Sequence, residues 1–391
     1  MHIVVHFARL GPYHFARLGS AVEVLGATGW RVTALEVAGS DATYEWERNA
    51  QAGSGYARTT VFPDRVFEDI AKGEMARGVS GALDALRPDA VAVAGWGTPD
   101  ARACLSWCKR NGARAIVMSE TRRADGRRVW WKEWLKSRVV RRFDGGLCGG
   151  ESHRRYLVDL GLPQERVVRG YNIVDNAFFA SERKNGHSER GGYFLASNRF
   201  VERKNLGRLI EAYSEAVRRW KCEGHGTLWP LVLLGDGELR ERLIGKCREA
   251  NLAVFHFPGP GDEVPPVGEG VYFAGFRQIE ELPAFYANAG AFVHPALEEP
   301  WGLVLNEAMA GGLPVLSSAN VGAAEELVHE GVTGFLFNPE DVSAMAGAMV
   351  RMASLPEELR AQMGAAAREL VESEVPTLAF GKGLKRLLEM T

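Results

Sequence analysis

The chain has 391 residues, a formal net charge of −2, 46% hydrophobic residues and 25% charged ones. That length exceeds one ordinary core and implies two domains of roughly 150–200 residues in a globular protein. The near-neutral charge excludes overall attraction to polyanions, so no nucleic-acid partner is expected and any affinity for phosphate or membrane must come from local patches.

Residues 3–7 read as a strand, and helical spacing follows over 15–28. The run is too short and polar for a signal peptide, and no stretch approaches the ~20 apolar residues that span a bilayer, so a cytoplasmic location is expected. The next strand is 31–37. Residues 40–63 look irregular, with Tyr44, Trp46 and Tyr56 among polar neighbours. They read either as an acceptor-binding loop or as a plain surface connection. A helix is expected over 67–86, a strand over 90–94, a helix over 100–111, and strands over 115–118 and 145–148. Cys104 and Cys108 share one face of the helix over 100–111. With no paired His or second Cys pair, they read as packing rather than as a metal site. The odd total of five cysteines fits reduced thiols.

Residues 122–142 are locally basic, with Trp130, Trp131, Trp134, Leu135 and Val139 forming an apolar helical stripe beside a cationic one. The favoured reading packs the tryptophans into the core and leaves the arginines in water. The alternative lays the helix on an anionic membrane surface. The basic groups could also bind an anionic acceptor.

A polar, Gly-containing stretch over 182–192 reads as a linker. It divides a first domain, 1–181, from a second, 193–375. There the expected strands are 193–196, 231–234, 271–274, 291–293 and 314–317. The helices between them are 206–220, 238–250, 280–288 and 303–310. Residues 253–270, rich in Pro and Gly, look irregular. A last helix within 376–391 is expected to cross back to the first domain. The βαβα order predicts α/β architecture: two Rossmann-like, doubly wound domains facing across a cleft lined by strand C-terminal ends.

The strongest chemical signal is Glu299-Pro-Trp-Gly302-Leu303-Val304-Leu-Asn-Glu307. It reads as a strand, a turn, and a helix starting near Gly302. The first-turn N–H groups of a helix lack internal partners and, with the helix dipole, favour an anion such as a diphosphate. Carboxylates suit vicinal diols, so Glu299 and Glu307 could serve a sugar and a ribose. Taken singly, either would read as a solvated helix charge.

This pattern resembles the E-x7-E signature of glycosyltransferase family 4, the retaining group with the GT-B fold. Asn198-Arg199-Phe-Val-Glu-Arg-Lys204-Asn205, Leu233-Leu-Gly235-Asp236-Gly237-Glu238 and Phe273-Ala-Gly275-Phe276-Arg277 resemble other family segments. So does the stretch from Phe143-Asp144 to Asn172-Ile-Val-Asp175. The resemblance implies transfer of a sugar from a UDP- or GDP-linked donor to an acceptor hydroxyl with retention of configuration. Arg199 and Lys204 would hold the diphosphate and, with Glu299 on the transferred sugar, form the catalytic set. Glu307 would hold the ribose, Gly302, Leu303 and Val304 the sugar and phosphate, and Phe276 and Arg277 would flank the base. Gly235 would shape the turn beside the nucleotide. In the first domain, Gly11 would let backbone approach the phosphates. The chain has fewer glycines there than relatives usually carry. His14 and Glu120 would touch the sugar or acceptor. Glu120 stands where many relatives have a His, which leaves recognition of the transferred sugar open. No Asp-x-Asp motif is evident, so no metal or other cofactor is expected. A sugar-nucleotide epimerase of the same fold and a non-catalytic sugar-nucleotide sensor are the competing readings. Identity of the acceptor stays open.

Overall fold

The structure is a computed structural model and describes residues 1–42, 55–182, 192–257 and 268–390. The chain divides into two compact units, one of residues 1–174 with 376–391 and the other of residues 175–375. Residues 175–181 thus group with the second unit rather than with the first. The linker at 182–192 lies largely outside the described residues, as do Tyr44 and Trp46.

The first unit is built on seven parallel strands: β1 (His2–Phe7), β2 (Arg31–Ser40), β3 (Ala57–Val66), β4 (Ala90–Ala94), β5 (Arg114–Ser119), β6 (Gly145–Cys148) and β7 (Val167–Arg169). Their order is β3-β2-β1-β4-β5-β6-β7. Between them run α1 (Pro12–Gly26), α2 (Lys72–Leu86), α3 (Pro99–Asn111), α4 (Trp130–Val140) and α5 (Glu151–Asp159). Period-two alternation splits the strand side chains between two cores. Val4, Val91 and Val93 face one layer with Cys104, Cys108 and Tyr156, and Ile3, Val5, Ala90 and Ala92 face the other. The two cysteines are therefore buried packing residues.

The second unit opens with the short α6 (Asn176–Phe179). Its sheet holds β8 (Phe194–Ser197), β9 (Leu231–Leu234), β10 (Val254–His256), β11 (Val271–Gly275), β12 (Ala291–His294), β13 (Val315–Ser318) and β14 (Gly334–Phe337). Their order is β10-β11-β9-β8-β12-β13-β14, and the recorded strand pairings are parallel. The helices are α7 (Leu206–Cys222), α8 (Arg240–Glu249), α9 (Leu282–Asn288), α10 (Leu303–Ala310), α11 (Ala324–Leu327), α12 (Val342–Ser354) and α13 (Glu357–Glu374). Helix α7 buries Leu206, Leu209, Ile210, Tyr213 and Val217, the apolar stripe its spacing predicts.

The last helix, α14 (Ala379–Glu389), belongs to the first unit and packs on α1. Gly381 makes this contact possible. Its N–H donates to Ser20 Oγ at 2.9 Å, and a Cβ there would lie 2.2 Å from the Ser20 carbonyl oxygen.

Three expectations need correction. Residues 57–63 of the supposed irregular loop lie in β3, an edge strand paired only to β2 among the described residues. Its partial exposure and its Pro63 hide the alternation that marks inner strands. Likewise residues 254–256 of the second irregular stretch form β10, the other sheet's edge. The tryptophans of α4 do not enter the core. Trp130 is 81% exposed, and Trp131, Trp134 and Leu135 are about half exposed.

Candidate functional site

In the second unit β8 lies at the point where strand order reverses, flanked by β9 and β12. Open parallel sheets bind ligands at the carboxyl end of such a point. The turns that leave β8, β9 and β12 carry most of the residues singled out above.

After β8 the chain runs through buried Asn198 and exposed Arg199 into a short 3-10 turn over Glu202–Lys204. Asn205 then takes a left-handed conformation, φ 59°. Its side-chain amide donates to the carbonyls of Pro295, at 3.0 Å, and Pro339, at 2.8 Å. This anchors the turn to the end of β12 and aims Lys204 back at the sheet. Lys204 is only 9% exposed.

The Lys204 ammonium donates to Glu299 Oε2 and forms an ion pair with it, joining residues 95 apart in sequence. Arg203, half exposed, approaches the same oxygen at 3.5 Å. Burial lowers the Lys204 pKa, and the Glu299 carboxylate opposes that drop without cancelling it. At Glu299 burial favours the neutral acid. The charge of Lys204 and the hydrogen bond it donates outweigh this, so the carboxyl lies below its ordinary range. The Glu299 carboxyl is therefore ionised near neutrality.

Sequence reasoning passed over His294, the last residue of β12. It is fully buried, with Nε2 3.9 Å from Glu299 Oε2. Among the described residues neither ring nitrogen has a hydrogen-bond partner. Burial first, then the neighbouring Lys204 charge, depress its pKa to about 3, so the ring is neutral. The only signal available was a polar residue closing the apolar run Ala291-Phe292-Val293.

Gly302 caps the N-terminus of α10 with φ 99°. That conformation favours glycine. A Cβ would lie 3.0 Å from Val321 Cγ1, a tight approach, and in ordinary contact with Glu299 Cγ at 3.4 Å and His294 Nε2 at 3.5 Å. Leu303 and Val304 form the half-buried first turn of α10. Glu307, one turn further on, is fully buried. The Tyr286 hydroxyl of α9 donates to its Oε2 at 2.6 Å. The acidic residues of the motif thus differ in setting: Glu299 is paired with a cation at the turn, and Glu307 is fixed by a phenol inside the helix packing.

Gly235, after β9, has φ 121°, and a Cβ there would lie 1.9 Å from the Asn198 carbonyl oxygen. It lets the β9 turn lie against the β8 turn. Phe276 is half buried after β11, whereas Arg277 is buried and turned inward. Its guanidinium donates to the Ala274 carbonyl and to Glu281 Oε1, each at 3.0 Å. Arg277 therefore holds the β11 turn in shape.

The remaining candidates lie in the first unit. Gly11 is the N-cap of α1, and its N–H donates to His14 Nδ1 at 3.0 Å. Burial and the charges of Arg17 and Arg9 push the His14 pKa down to about 3, so the ring is a neutral acceptor. Fully buried Glu36 was also overlooked. It accepts from the Leu10 N–H at 2.8 Å and from Arg58 at 2.7 Å, which holds the turn leading to Gly11. Glu120 is exposed just beyond β5.

Residues 178–370 match the family of glycosyl transferases group 1. Sulfoquinovosyl transferase SQD2 of Arabidopsis thaliana is 38% identical over 141 residues, covering 34% of this chain and 27% of that protein. D-inositol 3-phosphate glycosyltransferase of Streptomyces scabiei is 39% identical over 109 residues, covering 28% of this chain and 22% of that protein. The chain thus matches about a quarter of the length of these curated relatives. Over 99% of both chains, Anabaena HepE in complex with UDP superposes with a TM-score of 0.71 at 15% identity. Sucrose-phosphate synthase from Thermosynechococcus elongatus superposes with a TM-score of 0.72 at 18% identity, over 99% of this chain and 98% of that one. The fold is GT-B, with two Rossmann-like domains.

Proposed function

With residues 178–370 matching glycosyl transferases group 1, we propose that the chain is a retaining glycosyltransferase of family 4 type. It moves a sugar from a UDP- or GDP-linked donor to an acceptor hydroxyl in glycan, glycolipid or glycoconjugate synthesis. The observation that carries this reading is the convergence of Lys204, Glu299 and Gly302 at the carboxyl end of the second sheet. HepE, a structural neighbour, was crystallised with UDP and with UDP-glucose.

In this mechanism the diphosphate lies against the N-terminus of α10, where free N–H groups and the helix dipole favour it. Lys204 and Arg199 stabilise the charge that grows as the bond from the anomeric carbon to phosphate oxygen breaks. Glu299, held ionised by Lys204, accepts from hydroxyls of the transferred sugar. Glu307, oriented by Tyr286, accepts from the ribose. The acceptor hydroxyl bonds to the anomeric carbon on the face the diphosphate leaves, and its proton passes to a departing phosphate oxygen. No enzymic nucleophile enters this scheme, and metal-independent turnover is part of the proposal.

Turnover with a UDP- or GDP-sugar in EDTA, followed by NMR of the product anomer, tests it. The expected product keeps the donor configuration. An inverted anomer, or complete loss of activity in EDTA, would refute the scheme. Conversion of the donor to an epimer without acceptor would reassign the chain as an epimerase. Donor binding with no turnover would make it a sensor.

A further inference from the structure

Helix α4 seats itself on its own unit through Val140, which is fully buried, and through the half-buried Glu133, Lys136, Ser137 and Val139. Glu133 accepts from the Tyr156 hydroxyl at 2.7 Å and from Lys136 at 2.8 Å, and the Arg128 guanidinium covers the buried Tyr156 ring at 4.6 Å. Its four largest apolar side chains face away. Trp130, Trp131, Trp134 and Leu135 are 81%, 47%, 53% and 48% exposed. A row of this size on one helix is an unpartnered surface. Basic groups border it: Arg138 lies over the Trp134 ring at 4.7 Å and Lys132 over the Trp131 ring at 5.4 Å.

The charge around the row selects its partner. Residues 122–142 hold nine Arg or Lys against Asp125 and Glu133, in a chain whose net charge is −2. The excess is local. Two concavities meet at Arg141: one is lined by Arg123 and Arg138 with Glu133 and Asp159, and the other by Lys109, Arg142 and Arg166 with Asp144, so the cations exceed the carboxylates in both. A second copy of so positive a face would repel the first. Tryptophan rings flanked by snorkelling Lys and Arg suit the boundary between headgroups and acyl chains. Among the described residues no helix is long and apolar enough to cross a membrane. Any such contact is therefore peripheral.

We propose that the outward face of α4 docks the protein on anionic phospholipid membrane, with Trp130, Trp131 and Trp134 seated at the acyl boundary and the surrounding arginines on headgroup phosphates. The tryptophans supply depth and the cations supply preference for anionic lipid. This face is independent of the donor-site assignment.

Sedimentation of the full chain with vesicles tests it, using phosphatidylcholine alone and phosphatidylcholine with a third phosphatidylglycerol. The expected result is partition to the anionic vesicles with a blue shift of tryptophan emission, and release by high salt. The variants Trp131→Ser with Trp134→Ser, and Arg138→Glu with Arg141→Glu, change exposed residues and should keep the circular dichroism spectrum. The first pair should lower partition at least tenfold, and the second about fivefold or more for each charge removed. Equal binding to neutral vesicles, unchanged binding by both variants, or no vesicle binding would overturn the proposal. Dimerisation lost in the tryptophan variant would assign the face to a second copy instead. Retention on a soluble polyanion without vesicle partition would assign it to an acidic partner.

Discussion

The two units share an architecture but use their buried charges differently. In the first, Glu36 is consumed by the Leu10 N–H, Arg58 and Thr60. Arg17 is likewise taken up by the Tyr171 carbonyl at 2.8 Å. These groups fix loops and helices of their own unit. In the second, Lys204 and Glu299 come from separate turns and meet at the strand ends, where backbone has been cleared by Gly302. A buried ion pair is weak evidence for stability. The proposed donor site would give such a pair its use, since parallel sheets bind ligands at these strand ends. One domain fold thus gives a scaffolded turn in one case and a charged site in the other, and six substitutions separate those uses.

Lys204→Ala should show the largest effect, lowering kcat by at least about a hundredfold, of the order seen when one preorganised transition-state donor is lost. Circular dichroism should stay native, because Arg203 still faces Glu299. Initial rates with a saturating nucleotide-sugar donor measure it, and a mild effect would remove Lys204 from the diphosphate site. In the first unit Arg58→Ala should instead lower thermal stability with little direct effect on chemistry.

Gly235→Ala comes next. A methyl group 1.9 Å from the Asn198 oxygen at φ 121° forces backbone to move. A cost above about 3 kcal/mol is expected from strain and overlap together. Gly224→Ala, at φ 79° in open space, should cost only about 1 kcal/mol. Urea denaturation of both variants reads the contrast.

Tyr286→Phe removes one hydrogen bond to buried Glu307 and should cost about 1–2 kcal/mol. It should also weaken nucleotide binding, measured by calorimetry. Destabilisation with unchanged nucleotide affinity would make Glu307 a packing group.

The last effect concerns pH. The pKa of His294 is about 3 in the fold against 6.5 ordinarily. The unfolded chain therefore takes up a proton below pH 6.5 that the folded chain refuses. Stability contributed by the neutral ring is complete above pH 6.5 and falls as pH drops toward 3, at up to about 1.4 kcal/mol per pH unit. The lowered pKa of Glu299 acts at lower pH, where stability is lost as its carboxyl protonates. Melting temperatures between pH 7 and 5 should therefore fall less steeply for His294→Asn. Parallel curves would place the acid sensitivity elsewhere.

Much of this was legible in the chain alone. Inner strands such as Ala90–Ala94 and Leu231–Leu234 are buried on both faces, so they read as apolar runs whatever their neighbours. Glycine at 302 and the acidic pair at 299 and 307 announce a turn and a helix because local geometry demands particular residue types there. Strands β3 and β10 were illegible for the opposite reason. An edge strand is held by one neighbour, and its side chains need no pattern. His294 was missed because its neutrality follows from burial and from a lysine 90 residues earlier in the chain.

The sequence by itself determined the alternation of strands and helices, the division into two domains and the set of residue types at the charged turns, since those depend on near neighbours and on burial patterns. Tertiary structure alone decided that Lys204 meets Glu299, that Arg277 turns inward, and that the α4 tryptophans face out. Amphipathic spacing defines two faces of a helix but not which one its domain takes, and here the face that carries Glu133 and Val140 turned inward, with Glu133 held by Tyr156.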